Sequence, residues 1–389
     1  MKTVSRGDSV QTGSQATYLM LFALSYGMTG GEKAKKIFSI KFQTLAKMLK
    51  IGNTEFNDRP VFLAPMEDVT DPSFRYMCKK FGADLMFTEF ISADGLIREA
   101  QKTVKKLDIF DYERPVGTQI YGHIPDAMEE AARFINNADP DILDINYGCP
   151  VKKIAGRGAG SGMMRNLPLM KEITERVVKV SRFPVTAKTR LGWDSESLNV
   201  EEVALMLQDC GIQALTIHGR TRAQMYKGEA DWTLIGKVKN NPAIHIPIIG
   251  NGDITSGKIA AERFNTYGVD AIMIGRAAIG RPWIFREVKH YLETGEELPT
   301  PTVLERVDYA REHLHKSVDY KEGMRGIYEM RRHFTMYFKA IPNFKETRLK
   351  LLTANTVEEI ESLLDLIADK FGNVEINKEV ANVGIYDNG

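Results

Sequence analysis

Gly148-Cys149-Pro150 gives this chain its clearest candidate for a reacting side chain. A lone cysteine is most often a small buried hydrophobe, and Cys78 and Cys210, inside helix-like stretches, fit that description. Cys149 instead leads into a glycine-rich loop with Lys152, Lys153 and Arg157. An unperturbed thiol titrates near ~8.5, stays protonated near neutrality and suits a general acid. The nearby cations pull the other way, toward a nucleophilic thiolate, but no histidine or aspartate lies close in sequence to complete a triad. A general acid is the favoured reading.

The other chemically distinctive residues end short apolar runs. Lys188 and Arg190 close PVTAKTR (184–190), and His218 lies at the end of ALTIHG (214–219). A buried lysine is costly unless it meets an anion or an acceptor. Lys188 therefore faces either an anionic ligand or an internal carboxylate, Glu89 or Asp144. His218 either caps loop carbonyls or donates to a ligand. GNGDI (250–254) and IGRAAIGRPW (274–283) place glycines and Arg276 where backbone N–H groups hold a phosphate monoester. Gly275 with Arg276 is the stronger part of that signal. Asn251, Gly252 and Asp253 contact the ligand's polyol chain or brace the turn. Arg190, Arg220 and Arg222 bind phosphate or pair with Glu229, Asp231 and Asp194. No GxGxxG fingerprint, Walker loop, HxxxH or CxxC is present, so dinucleotide, P-loop and metal sites are not expected.

These residues need a scaffold that brings strand ends together. Eight short β-rich runs, 61–65, 85–89, 115–120, 141–146, 184–190, 214–219, 246–252 and 270–275, alternate with amphipathic stretches at 71–82, 125–137, 167–181, 200–210 and 256–266. Alternation of this kind predicts parallel strands with crossover helices. Eight such units in about 215 residues predict a closed (β/α)8 TIM barrel, whose C-terminal strand ends form the active-site face. The distinctive residues sit at those ends: Pro65 and Met66, Glu89, Gln119, Asn146, Lys188, His218, Asn251 and Gly275. A phosphate at the corner of strands seven and eight, with Lys188 and His218 inside the ring, suggests flavin mononucleotide lying across the barrel mouth.

At 389 residues the chain exceeds one ordinary core. The barrel is expected over 48–295, a helical-bundle domain over 296–373 and a polar tail over 374–389. The 52 basic and 51 acidic residues nearly cancel, so RNA binding would have to rest on local patches. One such patch combines Arg325, Arg331, Arg332, Lys339, Lys345, Arg348 and Lys350 with Tyr328, Phe334, Tyr337 and Phe338. These either form an RNA face or, for the aromatics, a helix core. The apolar run 18–28 is about half a membrane span. Residues 1–47 are expected to be a dispensable or mis-assigned extension, with Met48 the start. Three cysteines without pairing pattern fit a reducing, cytoplasmic setting.

LAPMEDVTD (63–71), DINYGCPVKKIAGRGAGSGMMR (144–165), KTRLGW (188–193), HGRTRAQMYKGEADW (218–232), IIGNGDI (248–254) and DAIMIGRAAIGRPW (270–283) together resemble the tRNA-dihydrouridine synthases, in particular the bacterial DusB-like branch. The likeness spans roughly 50–375. Pro342-Asn343 departs from it, standing where similar proteins often carry a glycine-rich turn. The resemblance implies an FMN enzyme, with NADPH as reductant, that reduces uracil within tRNA. It further implies Cys149 as proton donor and Asn146 beside the target base. Gln119, Lys188 and His218 would contact the flavin, and Pro65 with Met66 would line its face. It also implies a tRNA-cradling helical domain using Arg332 and Lys339, with Lys152, Lys153, Arg157 and Arg190 contacting RNA, in a soluble monomer. The alternative is a small-molecule FMN reductase of the dihydroorotate dehydrogenase or ene-reductase type, which leaves the basic helical segment unexplained.

Overall fold

A computed structural model describes residues 48–376; the expected extension 1–47 and nearly all of the tail lie outside them. The chain enters through a hairpin, β1 (Leu49–Ile51) and β2 (Thr54–Phe56). It then builds β3 (Val61–Leu63), β4 (Met86–Phe87), β5 (Ile91–Ser92), β6 (Val116–Tyr121), β7 (Ile142–Tyr147), β8 (Val185–Arg190), β9 (Leu215–His218), β10 (Ile248–Asn251) and β11 (Ala271–Ile274). The parallel order is β3-β11-β10-β9-β8-β7-β6-β4, with β5 beside β6. The Leu63 N–H donates to the Leu85 carbonyl at 2.9 Å, joining β3 to the β4 side. All eight expected strands are present around one TIM-type barrel.

Alternation along each strand sorts the side chains. Leu85, Ile142, Ala214, Ile249 and Ala271 share an apolar cluster with Leu49, Ile51 and Phe56 of the hairpin, which covers that end of the barrel. One step up lie Phe62, Phe87 and Met273. Nearer the C-terminal ends, the same inward positions turn polar: Gln119, Asn146, Lys188, His218 and Asn251 line a single cavity. Residues of opposite parity, such as Ile145, Ala187 and Ile217, pack beneath the surrounding helices. Gly250 has a steric reason of its own, because a Cβ there would lie 2.1 Å from the Trp232 ring.

The helices open where local chemistry directs. Asp71 accepts the Phe74 N–H ahead of Pro72–Lys80, with Pro72 in the first turn. Asn166 and Ser256 cap Leu167–Val180 and Gly257–Tyr267 in the same way. Two barrel helices escaped the sequence reading, Thr233–Lys239 and Ile284–Thr294. Between β5 and β6 the chain forms only short helical turns over 93–113.

After Thr302, whose capping box with Glu305 starts Val303–Tyr320, come Arg325–Tyr337, Lys345–Thr353 and Val357–Phe371. This helical segment packs on Pro72–Lys80, where Phe74 lies 5.7 Å from the His313 ring and 4.8 Å from His333. Lys321 is buried between Asp71 and Glu329. Phe334, Tyr337 and Phe338 are core residues, at most 1% exposed, whereas Tyr328 is 49% exposed. Among the described residues, no helix is long and apolar enough to cross a membrane.

Candidate active site

The polar strand ends converge on a cavity of about 1120 Å³ at the barrel mouth. Small-ligand pockets usually measure about 300–1,000 Å³, so there is room for a large planar ligand and part of a second one. A chain of hydrogen bonds crosses its floor. Asp144, wholly buried, accepts the Thr186 hydroxyl at 2.5 Å and the Gln119 amide N–H at 2.6 Å. The Gln119 carbonyl accepts the Asn146 amide at 2.8 Å. The Asn146 carbonyl in turn accepts the backbone N–H groups of Gly148 and Cys149 at 3.0 and 2.8 Å. Burial raises the Asp144 pKa to about 6, against the lowering influence of Gln119, Thr186 and Lys188. At neutral pH it is therefore mostly an anion that only accepts, and that fixes which way each amide in the chain points.

Cys149 is 7% exposed. Its carbonyl accepts the Ser161 N–H and hydroxyl at 3.2 and 2.8 Å, which folds the following loop back over it. Gly160 (φ +54°) permits this: a Cβ there would lie 3.0 Å from the Cys149 carbonyl oxygen. Burial pushes the thiol pKa up; a hydrogen bond from the Val151 N–H and the charges of Arg190 and Lys188 oppose it without winning. The thiol is thus protonated at neutral pH, the state a proton donor requires.

On the far strands, the Lys188 ammonium donates to the Asn251 carbonyl at 3.1 Å, and Asn251 donates to the Met273 carbonyl at 2.7 Å. Lys188 makes no ion pair among the described residues; burial, with Arg190 nearby, lowers its pKa to about 7 despite Asp144. His218 is held neutral, well below its ordinary range, first by burial and then by the surrounding arginines and Lys188. Asp253 (φ +52°) ties the next turn together. It accepts from Arg220 at 2.9 and 2.7 Å, from Arg276 at 3.0 Å and from the Ala230 N–H at 2.8 Å. Tyr226 lies beneath two guanidiniums, those of Arg276 at 4.8 Å and Arg190 at 5.7 Å.

A sequence profile described as Dihydrouridine synthase (Dus) matches residues 62–371. The chain belongs to the dihydrouridine synthase family. A probable tRNA-dihydrouridine synthase of Rickettsia prowazekii is 38% identical over 328 residues, 84% of this chain and 98% of that one. The tRNA-dihydrouridine synthase B of Xanthomonas campestris is 41% identical over 311 residues, 80% and 92% of the two chains. That of Shewanella oneidensis is 38% identical, over 83% and 99%. A solved 2-naphthoyl-CoA reductase shares the fold, with TM-score 0.53 and 14% identity over 85% of this chain and 70% of that one.

In this dihydrouridine synthase family member, the ten residues expected to hold a cofactor all line the one cavity: Pro65, Met66, Gln119, Lys188, His218, Asn251, Gly252, Asp253, Gly275 and Arg276. Cys149, Asn146, Arg190 and Arg332 line it too. Lys152, Lys153 and Arg157 are exposed on the loop beyond Cys149 and, like half-buried Lys339, stay outside the cavity. Arg190 is 2% exposed. It pairs with none of the carboxylates considered for it, donating instead to the carbonyls of Gly148, Thr221 and Met225 at 2.8, 2.9 and 2.8 Å. It therefore braces the Cys149 loop. Asn146 likewise positions that loop, and Asp253 braces its turn. Tyr226 was missed, and Asp144, weighed only as a partner for Lys188, instead anchors the amide chain through Gln119 and Thr186. An acid inside the apolar run DILDIN and a tyrosine beside Lys227-Gly228 were the available signals.

Proposed function

We propose that this chain is an FMN-dependent tRNA-dihydrouridine synthase that saturates the C5=C6 bond of uracil within tRNA, with NADPH as electron source. The observation that carries this reading is Cys149: a protonated thiol, pinned by Asn146, on the same cavity as Lys188 and His218 in a chain of this family. The donor set fits a flavin mononucleotide. Lys188 is buried, makes no direct ion pair among the described residues and is lowered to about 7 despite the charge of Asp144, so an electron-rich ring edge would favour its ammonium form. Arg276, beside Gly275, suits a terminal phosphate. Pro65 and Met66 provide an apolar wall.

When bound there, the flavin supplies hydride to C6 of the uracil. The Cys149 thiol delivers its proton to C5, and the thiolate recovers a proton from solvent. Arg190 and the Asn146 carbonyl hold the loop so that the thiol meets the base in one orientation. The base must leave its stack to enter a cavity this deep, so the enzyme engages an extruded nucleotide.

Incubating the purified protein with NADPH and tRNA from a strain lacking this gene tests the proposal. Nucleoside mass spectrometry should detect dihydrouridine, and the chromophore released on denaturation should be FMN. Equal turnover of free uridine, or a colourless protein after reconstitution with FMN, would contradict it.

A further inference from the structure

Two guanidiniums converge on one indole at the barrel rim. Arg165 lies 3.9 Å and Arg222 4.5 Å from the Trp193 ring centroid. Through their side chains, neither makes a hydrogen bond or an ion pair among the described residues, and Nε of Arg222 is buried without an acceptor. Asp194, the adjacent carboxylate, instead accepts from the Ser197 hydroxyl at 2.7 Å and the Glu196 N–H at 3.1 Å. The ring face holds both guanidiniums, and with no carboxylate paired to either among the described residues, their N–H donors are available to an arriving anion. Lys152, Lys153 and Arg157, exposed on the neighbouring loop, also have no side-chain partner among the described residues.

The helical segment differs only in part: Nε of Arg331 and of Arg348 is likewise buried without an acceptor, but other cations there are paired. There Arg325 meets Glu329 at 2.6 Å, Lys350 meets Glu346 at 2.9 Å, and Arg331 donates to Asn355 and the Ala354 carbonyl at 2.9 and 3.2 Å.

Resting on the tRNA reading above, we propose that Arg165, Trp193 and Arg222 form a clamp for the phosphate backbone of folded RNA, and that this part of the rim provides more of the electrostatic hold than the ion-paired Arg325 and Lys350 of the helical segment. The indole fixes both guanidinium planes in advance, which reduces the ordering cost when phosphate oxygens arrive. Two bonds tie the clamp together: the Arg222 N–H donates to the Gly192 carbonyl and the Ala223 N–H to that of Trp193, both at 2.9 Å. Arg165 ends the 3-10 turn Gly160–Arg165, whose Ser161 is bonded to the Cys149 carbonyl. The backbone would therefore be gripped within about two short helical turns, along the chain, of the Cys149 contact, which steadies the strand from which a base is extruded.

Equilibrium binding of an unmodified tRNA transcript to the holoprotein over a range of salt concentrations tests the clamp. Arg165→Ala and Arg222→Ala should each weaken binding about 10-fold at ~0.1 M salt and flatten the log–log salt slope by about one, as loss of a phosphate contact does. Arg165→Lys should restore the slope but only part of the affinity. Arg325→Ala and Lys350→Ala should change binding less than about 2-fold. Unchanged FMN content and NADPH oxidation verify that each variant is folded. Wild-type affinity in both rim variants, a larger loss in the helix variants, or no tRNA binding by the wild type would overturn the clamp. If binding depends on the rim but no dihydrouridine forms, the proposed activity fails while the clamp stands.

Discussion

The Asn146 side-chain carbonyl accepts the backbone N–H of Cys149 at 2.8 Å, while its amide donates to Gln119. A strand-end side chain thus sets the backbone of the loop that carries the thiol, and the hydrogen-bond chain behind it runs down to Asp144. The cavity floor and the Cys149 loop form one connected unit.

Asn146→Ala should therefore impair base reduction far more than flavin retention. It leaves the N–H groups of Gly148 and Cys149 without their acceptor, and small misplacements of a reacting group cost up to about 100-fold. Single-turnover oxidation of the reduced enzyme by tRNA should slow about 10- to 100-fold, with FMN content unchanged. Loss of the flavin in this variant would mean that Asn146 serves the cofactor instead.

Asp144 should give the base-reduction step an acidic limb. Its pKa is raised to about 6 from 3.8 by burial. Protonation below pH 6 replaces an acceptor-only group by one that donates, which releases the amide order above it. For stability the sign is opposite. A carboxyl with a raised folded pKa stabilises the fold fully below pH 3.8 and loses that contribution as pH rises through about 6. Asp144→Asn should remove the limb near pH 6 from the rate profile, and should flatten the dependence of thermal stability on pH between 4 and 6. A limb that persists in the variant would assign it to another group.

The strand ends were legible because β6 to β10 each carry a polar residue at the inward parity of an apolar run, and eight such runs allow few folds. Thr233–Lys239 was not, being only seven residues long, with no side-chain cap at its start. Arg190 shows a different limit. Its position at a strand end was readable, but the three carbonyls that consume its donors come from loops after β7 and β9, whose paths only tertiary structure defines. The aromatics Phe334, Tyr337 and Phe338 carried two readings at helical spacing, and burial decides for the core.

Lys188 should make flavin binding proton-linked. Its pKa is lowered to about 7 by burial, so much of it is neutral in the free protein just above that pH. A lowered lysine contributes stability that is full above pH 10.5 and lost as pH falls through about 7. An electron-rich ligand edge favours the ammonium, so binding near pH 8 should take up a fraction of a proton, up to about one. Calorimetry of FMN binding to the apoprotein in buffers of differing ionisation enthalpy measures this. Lys188→Met should abolish the uptake; identical uptake in that variant would remove Lys188 from the site.

Arg276 tests the phosphate corner. Hydrogen bonds to charged groups contribute about 1.5–3 kcal/mol, so Arg276→Ala should weaken FMN binding about 10- to 100-fold, measured by flavin fluorescence on titration. Riboflavin, which lacks the phosphate, should bind wild type and variant alike. Equal FMN affinity in the two proteins would place the phosphate elsewhere.

Cys149 is proposed to donate the proton to the base and to have no part in loading the enzyme with electrons. Rapid mixing of wild type and Cys149→Ala, followed by flavin absorbance, separates the two steps. NADPH should bleach the flavin at near-equal rates in both proteins, because no thiol proton is needed. Reoxidation by unmodified tRNA should then slow about 10²- to 10⁴-fold in the variant, the usual cost of removing a general acid. Reoxidation of Cys149→Ala by tRNA at the wild-type rate would contradict the account.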